Sequence, residues 1–134
     1  MTIKNLWGEI NNLPKVKAPV AVLNEQAQFL SDLTGGLLTG EISQVERSGD
    51  RFIYSFYIHA SSLNNYYYFV LRIDHDIHLY PLNLTTDKDD SPWASSSGTI
   101  CNDVNEFEIE LGKIFSSSVV QRVISGLLSQ IQTA

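Results

Sequence analysis

The apolar positions follow a helical period towards both ends of the chain and a two-residue period through the middle. Pro19 opens the first helical stretch, where a missing N–H costs nothing. Val20, Leu23, Ala27 and Leu30, flanked by Val22, Phe29 and Leu33, form one broad apolar stripe. Asn24, Glu25, Gln28, Ser31 and Asp32 share the opposite arc, so the spacing predicts an amphipathic helix with one side buried. Thr34-Gly35-Gly36 ends it, with a glycine free to take a left-handed cap.

The period then falls to two. Leu38, Gly40 and Ile42 alternate with Thr39, Glu41 and Ser43 in a weak strand over Leu37 to Glu46. Gly40 there marks either a bulge or a place where a helix lies close. After the turn composition of Arg47 to Asp50, the stretch Arg51 to Leu84 predicts three aromatic-rich strands. Phe52, Tyr54, Phe56 and Ile58 oppose Ile53, Ser55, Tyr57 and His59. The short connection Ala60 to Asn65 returns the chain antiparallel. Tyr66, Tyr68, Val70 and Arg72 then oppose Tyr67, Phe69, Leu71 and Ile73, and Ile77 to Leu84 continues with His78, Tyr80 and Leu82 on one side.

Helical periodicity returns after Ile100. Asp103 and Glu106 resemble a capping box ahead of a helix to about Phe115, with Val104, Phe107, Leu111 and Ile114 inward. Ser116 to Ser118 break it, and a last helix carries Val119, Val120, Val123, Ile124, Leu127, Leu128 and Ile131. Gly126 within it points to close approach of a neighbour or mild strain. The expected architecture is α+β: a four-stranded antiparallel β-meander with one N-terminal helix and two C-terminal helices packed on it. Residues 1–134 read as one domain. Residues 1–18 form an arm, with one short turn and with Leu6 and Trp7 available to pack on the body. Residues 85–100 form a long acidic and serine-rich loop, of a length usual for functional or disordered segments.

Composition narrows the function classes. With 43% hydrophobic and 18% charged residues, the chain should fold without metal or disulfide. Cys101 is the only cysteine, which excludes an intramolecular disulfide and fits a reducing cytosol. No signal-like or membrane-spanning apolar run occurs, so the expected location is the cytoplasm with no membrane partner. Nine basic residues are scattered against fifteen acidic ones, net −6, which argues against direct nucleic-acid binding and favours a basic partner.

No catalytic or cofactor motif emerges. Asp74, Asp76 and His78 alternate like metal ligands, but they straddle a hairpin turn, where aspartates serve backbone hydrogen bonds. His59 and His78 would form an acid/base pair only if two strands brought them together. Cys101 has no local histidine to activate it and reads as a small core residue. Ser95 to Gly98 lacks the lysine of a phosphate loop, and Asp87, Asp89 and Asp90 lack calcium-loop spacing.

The six tyrosines, all within 27 residues, are the most informative feature. Those on a face away from the helices would make a rigid amphipathic surface suited to protein contact. The expectation is therefore a non-enzymatic protein-binding module without cofactor, of the immunity or antitoxin-like inhibitor class, binding a basic protein. Its contact residues would be Tyr57, His59, Tyr66, Tyr68, His78, Tyr80, Asp87, Asp89, Asp90 and Trp93. The alternatives are a secretion chaperone or adaptor, a small-ligand or enzymatic domain with a Tyr/His-lined pocket, and a homodimeric module.

Overall fold

The computed structural model describes residues 3–86 and 98–133, apart from the side chains of 45–48 and 133. Five antiparallel strands form one sheet in sequence order: β1 (Thr39–Ser48), β2 (Arg51–Ala60), β3 (Tyr66–His75), β4 (Leu82–Thr85) and β5 (Thr99–Cys101). Helix α1 (Pro19–Leu33) precedes them, and α2 (Val104–Phe115) and α3 (Ser118–Thr133) follow. The α+β meander with one leading and two trailing helices is thus as expected, with one strand more.

The extra strand comes from the segment expected to be a loop. Thr99 to Cys101 pair with Leu82 to Leu84, so both ends of the 85–100 stretch belong to the sheet. Residues 87–97, including Asp87, Asp89, Asp90 and Trp93, lie outside the described residues. The fourth strand is also shorter than the alternation suggested. It starts at Leu82 because Pro81 cannot donate to a ladder and because Asp76 folds the chain before it. The Asp76 carboxylate accepts from the His78 backbone N–H at 2.8 Å, and Leu79 takes a positive φ of 75°.

One bulge decides which residues share a face. Phe56 stands opposite Leu71, but Tyr57 stands opposite Phe69, so Val70 is an extra residue on β3. Val70 and Leu71 are consecutive and both buried, at 4% and 0% exposure. Residues paired across a ladder point the same way. Tyr66 and Tyr68 therefore stand on the core side with Ala60 and Ile58, and Tyr67 and Phe69 stand on the other side with His59 and Tyr57. Beyond the bulge the parity reverses, with Leu71, Ile73 and His75 inward and Arg72 and Asp74 outward.

All three helices pack on the core side. Phe107 and Leu111 of α2 are buried among Leu71, Ile73, Leu82 and Cys101, and Val120 and Leu127 of α3 complete the cluster. A fully buried phenylalanine such as Phe107 contributes about 2–3 kcal/mol. Asp103 caps α2 by accepting from Glu106 N at 2.8 Å, and Glu106 Oε1 accepts in return from Asn102 N at 2.9 Å. This reciprocal cap follows the D-x-x-E spacing, displaced by one residue on the return bond. Helix α1 lies against β1 so closely that a Cβ on Gly40 would stand 2.6 Å from Ala27 Cβ. Close helix approach is therefore the reason for that glycine; the register shifts lie elsewhere, between Val45 and Ser48 on β1 and at Val70 on β3. At Gly126 a Cβ would meet nothing within 4 Å, so the close approach expected there is absent.

The N-terminal arm stands off the body. It contains one 3-10 turn at Ile10–Asn12, and Leu13 is extended ahead of Pro14, as the residue before a proline prefers. Leu6 and Trp7, expected to pack on the body, are 87% and 81% exposed.

Candidate functional site: the helix-free sheet face

The sheet face opposite the helices is built by cross-strand pairs on β1, β2 and β3. Thr39, Glu41 and Ser43 of β1 face His59, Tyr57 and Ser55 of β2. Tyr67, Phe69 and Arg72 of β3 stand beyond them. Strands present this row because β-branched and aromatic side chains fit a pleated, half-buried surface.

The aromatic rings form a connected ladder. His59 stacks on Tyr67 with centroids 4.2 Å apart and planes 12° from parallel. Tyr57 meets Tyr67 and Phe69 edge-on, at 6.3 Å and 5.7 Å. The Arg72 guanidinium lies over Phe69 at 5.9 Å and donates to Ser55 Oγ at 3.2 Å. Such edge and stacked pairs complement the ring quadrupoles and fix the rings' orientation. Tyr67 remains 53% exposed.

His59 is held on three sides. Its Nε2 lies 3.2 Å from Asn65 Oδ1, and its Nδ1 lies 3.4 Å from Thr39 Oγ1 and 3.7 Å from Glu41 Oε1. Nε2 thus stands within donating distance of the Asn65 oxygen, and the Thr39 hydroxyl beside Nδ1 also reaches Glu41 Oε1 at 3.4 Å. Asn65 reaches this position because Asn64 and Asn65 both take positive φ, 56° and 55°, in the β2–β3 turn. Asparagine tolerates that conformation better than other side chains. At the other end of the face, Arg51 grips Asp74 through Nε at 3.0 Å and through its terminal nitrogen at 2.6 Å.

The structure separates several residues expected to act together. Tyr57 and His59 share the open face; Tyr66 and Tyr68 do not, because the Val70 bulge turns them to the helical side. His59 lies beside the start of β3, and His78 lies past its end, about 25 Å away at strand rise. They form no acid/base pair. His78 is exposed beside Asp76 in the turn, and its backbone N–H, the largest cause, holds the Asp76 carboxyl below its ordinary value. Tyr80 sits near α2 and donates to the Lys17 carbonyl at 3.1 Å. Burial, with Glu108 nearby, pushes its hydroxyl up to about 12. Cys101 is buried, and burial followed by Glu110 and Glu106 pushes its thiol up to about 11. A thiol held protonated there is a core group rather than a nucleophile.

Three placements on β3, two on the open face and one beneath the helices, escape the sequence pattern. Tyr67 and Phe69 replace Tyr66 and Tyr68 on the open face. Arg72 joins them only because the bulge shifts its parity. His75 is buried at 3% exposure, stacked near Phe52 and Tyr54 and donating from Nδ1 to the Asp76 carbonyl at 2.7 Å. Its phase with Ile73, two residues earlier, is the available signal for that inward placement.

Among the described residues, clefts open on the helical side, three of them between or beside the helices and the sheet. The most apolar, about 150 Å³, lies between α1, α3 and the sheet, lined by Leu30, Leu33, Phe56, Phe115 and Ile124, with Gln26 and Gln121 also in its lining. A second lies between α1 and α2 and a third beside Tyr66 and Arg122. None of the three is lined by a histidine. Among the described residues no helix is long and apolar enough to cross a membrane, and no cluster of three potential metal ligands occurs. Compared with protein-family models, curated proteins and solved structures, the chain has no match.

Proposed function

We propose that the chain is a protein-binding module that docks a basic partner on its helix-free sheet face, in the manner of an immunity or antitoxin-like inhibitor. The observation that carries this reading is the aromatic ladder of Tyr57, His59, Tyr67 and Phe69 on a face that none of the described helices covers. Rigid aromatic side chains supply contact area at low entropic cost, which is why they dominate binding hot spots. The two arginines of the face are already engaged, Arg51 by Asp74 and Arg72 by Ser55 and Phe69. Glu41 is half exposed beside His59, within a chain of net charge −6. Complementary charge would speed capture of a basic target. A catalytic reading would need a histidine in an open cleft, whereas His78 is exposed in a turn, His75 is buried in the core and His59 lies on the helix-free sheet face.

The test is capture of partners by the tagged protein from its native lysate at low and moderate salt, read by mass spectrometry. Tyr67→Glu and the triple exchange of Asp87, Asp89 and Asp90 to asparagine are run beside the parent. One basic protein, held in near-stoichiometric amount, weakened by salt and lost in Tyr67→Glu, is the expected result. Capture that ignores Tyr67→Glu, or no capture at either salt, overturns the reading.

A further inference from the structure

Among the described residues the largest apolar exposure lies on the N-terminal arm, which the sheet-face reading does not use. Ile3, Leu6, Trp7, Ile10 and Leu13 are 93%, 87%, 81%, 49% and 60% exposed. Ile3, Leu6, Trp7 and Ile10 also follow helical spacing, a pattern that marks one apolar side meant for burial. Scattered exposed apolar residues need no explanation, but five within eleven positions form a patch. The arm is shaped as well. Asn5 Oδ1 accepts from Trp7 N at 3.0 Å, and Gly8 takes a positive φ of 73°, so a side-chain turn presents Leu6 and Trp7.

A receiving surface of the same character lies on the body. The 150 Å³ cleft between α1 and α3 opens beside Phe29 and Leu33, which are 58% and 84% exposed. Both flank the apolar stripe of α1, and among the described residues nothing covers them. The arm's root is fixed at the opposite end of α1: Tyr80 donates to the Lys17 carbonyl, and Lys17 pairs with Glu25. Pro19 and Phe29 are ten residues apart, about 15 Å of helix, so the arm leaves the body at the end away from the cleft.

We infer that two copies of this chain associate by exchanging arms, the Ile3–Leu13 segment of each seating in the α1–α3 cleft of the other. The area is sufficient. Five apolar side chains at roughly 100 Å² each give on the order of 500 Å² per arm. The two arms alone offer on the order of 1,000 Å², and the cleft with the exposed Phe29 and Leu33 beside it adds enough to reach the lower part of the standard range for stable interfaces. A two-fold exchange also closes on itself and leaves no free arm to propagate. It occupies the helical side and leaves the Tyr57–Tyr67 face clear, so the inference stands or falls apart from the proposed function.

The experiment is sedimentation and light scattering over a wide concentration range, with Trp7 emission as a local reporter. The chain has two tryptophans, so Trp93→Phe leaves Trp7 alone. Leu6→Glu disables the arm and Leu33→Glu the groove; both sites are highly exposed, so neither should disturb the monomer fold. The expected result is a dimer whose Trp7 emission shifts to the red on dilution. Each substitution alone gives a monomer, and mixing the two variants restores association through one intact arm and one intact groove. A monomer at every concentration overturns the inference. If Trp7 is then buried, the arm folds onto its own body; if it is exposed, the cleft serves some other apolar occupant. A dimer that survives both substitutions overturns it equally, since another surface must then hold it.

Discussion

Replacing Gly40 by alanine probes the packing that sets the distance between α1 and the sheet. The added methyl would stand 2.6 Å from Ala27 Cβ, 2.7 Å from Ala27 Cα and 2.8 Å from Phe56 Cζ. Carbon atoms pack at about 3.5–4.0 Å, so each neighbour must retreat by about an ångström. The Phe56 ring is buried and set against Phe115 at 5.5 Å, so it has little room to turn. The Ala27 α-carbon is backbone, and moving it moves the helix. Overpacking of this kind costs about 1–3 kcal/mol, and alanine regains about 0.5–1 kcal/mol by restricting the unfolded chain. The net loss expected is about 1–1.5 kcal/mol, or roughly 3–7 °C in Tm for a chain of this size. Urea unfolding followed by circular dichroism and by fluorescence would measure it, with an unchanged m value showing that the unfolded state is not the cause. Adding Ala27→Gly removes the nearest atom but leaves the helix backbone in the way and puts a glycine in a helix, so the rescue should be incomplete. A Gly40→Ala protein within about 0.5 kcal/mol of the parent would refute the close approach of α1 to β1.

Gly126 should behave in the opposite way. A Cβ there meets nothing within 4 Å, so Gly126→Ala should stabilise by about 0.5–1 kcal/mol in the same assay. Alkaline pH should destabilise the fold through Cys101 and Tyr80, whose ordinary values of 9.0 and 10.0 rise to about 11 and about 12 in the folded protein. The unfolded chain loses these protons first, so their contribution is complete below pH 9 and is lost as pH rises towards 12. Urea midpoints for the parent and Cys101→Ala should converge across pH 9 to 11, and parallel curves would show that the thiol is not protected.

The parts of the fold legible in the sequence are those where one local signal dominates. Pro19 and Gly35-Gly36 bracket α1, the D-x-x-E pair starts α2, and Asn64-Asn65 turn β2 into β3, each through backbone chemistry carried by the residues themselves. The features that depart from the pattern share a different cause. Tyr66 to Leu71 is apolar on both sides, so nothing in the alternation marks Val70 as surplus. A bulge there is decided by how β3 must bend over the helices and by its partner β2, which is tertiary information. The short β5 is illegible for a related reason, since three residues, Thr99 to Cys101, carry too little periodicity and become a strand only by pairing with β4. His75 is masked by flanking aspartates that suggest a turn, yet its ring completes the inward row begun by Leu71 and Ile73.

The Val70 bulge ties fold to site. Without it, one β3 register would carry Tyr67 and Phe69 with Leu71 and Ile73, and a face that must enter the core would also hold the tyrosine stacked on His59. The extra residue lets β3 send Leu71 and Ile73 under the helices while keeping Tyr67 and Phe69 beside Tyr57 and His59. The rings on the open face are then held by one another, at about 0.5–1.5 kcal/mol for each aromatic pair. Tyr67 touches both His59 and Tyr57, so removing its ring would weaken the sheet as well as any docking surface. Tyr67→Phe keeps both ring pairs and deletes only the hydroxyl. A binding defect in that variant with unchanged stability would therefore assign the loss to the exposed surface rather than to the scaffold beneath it.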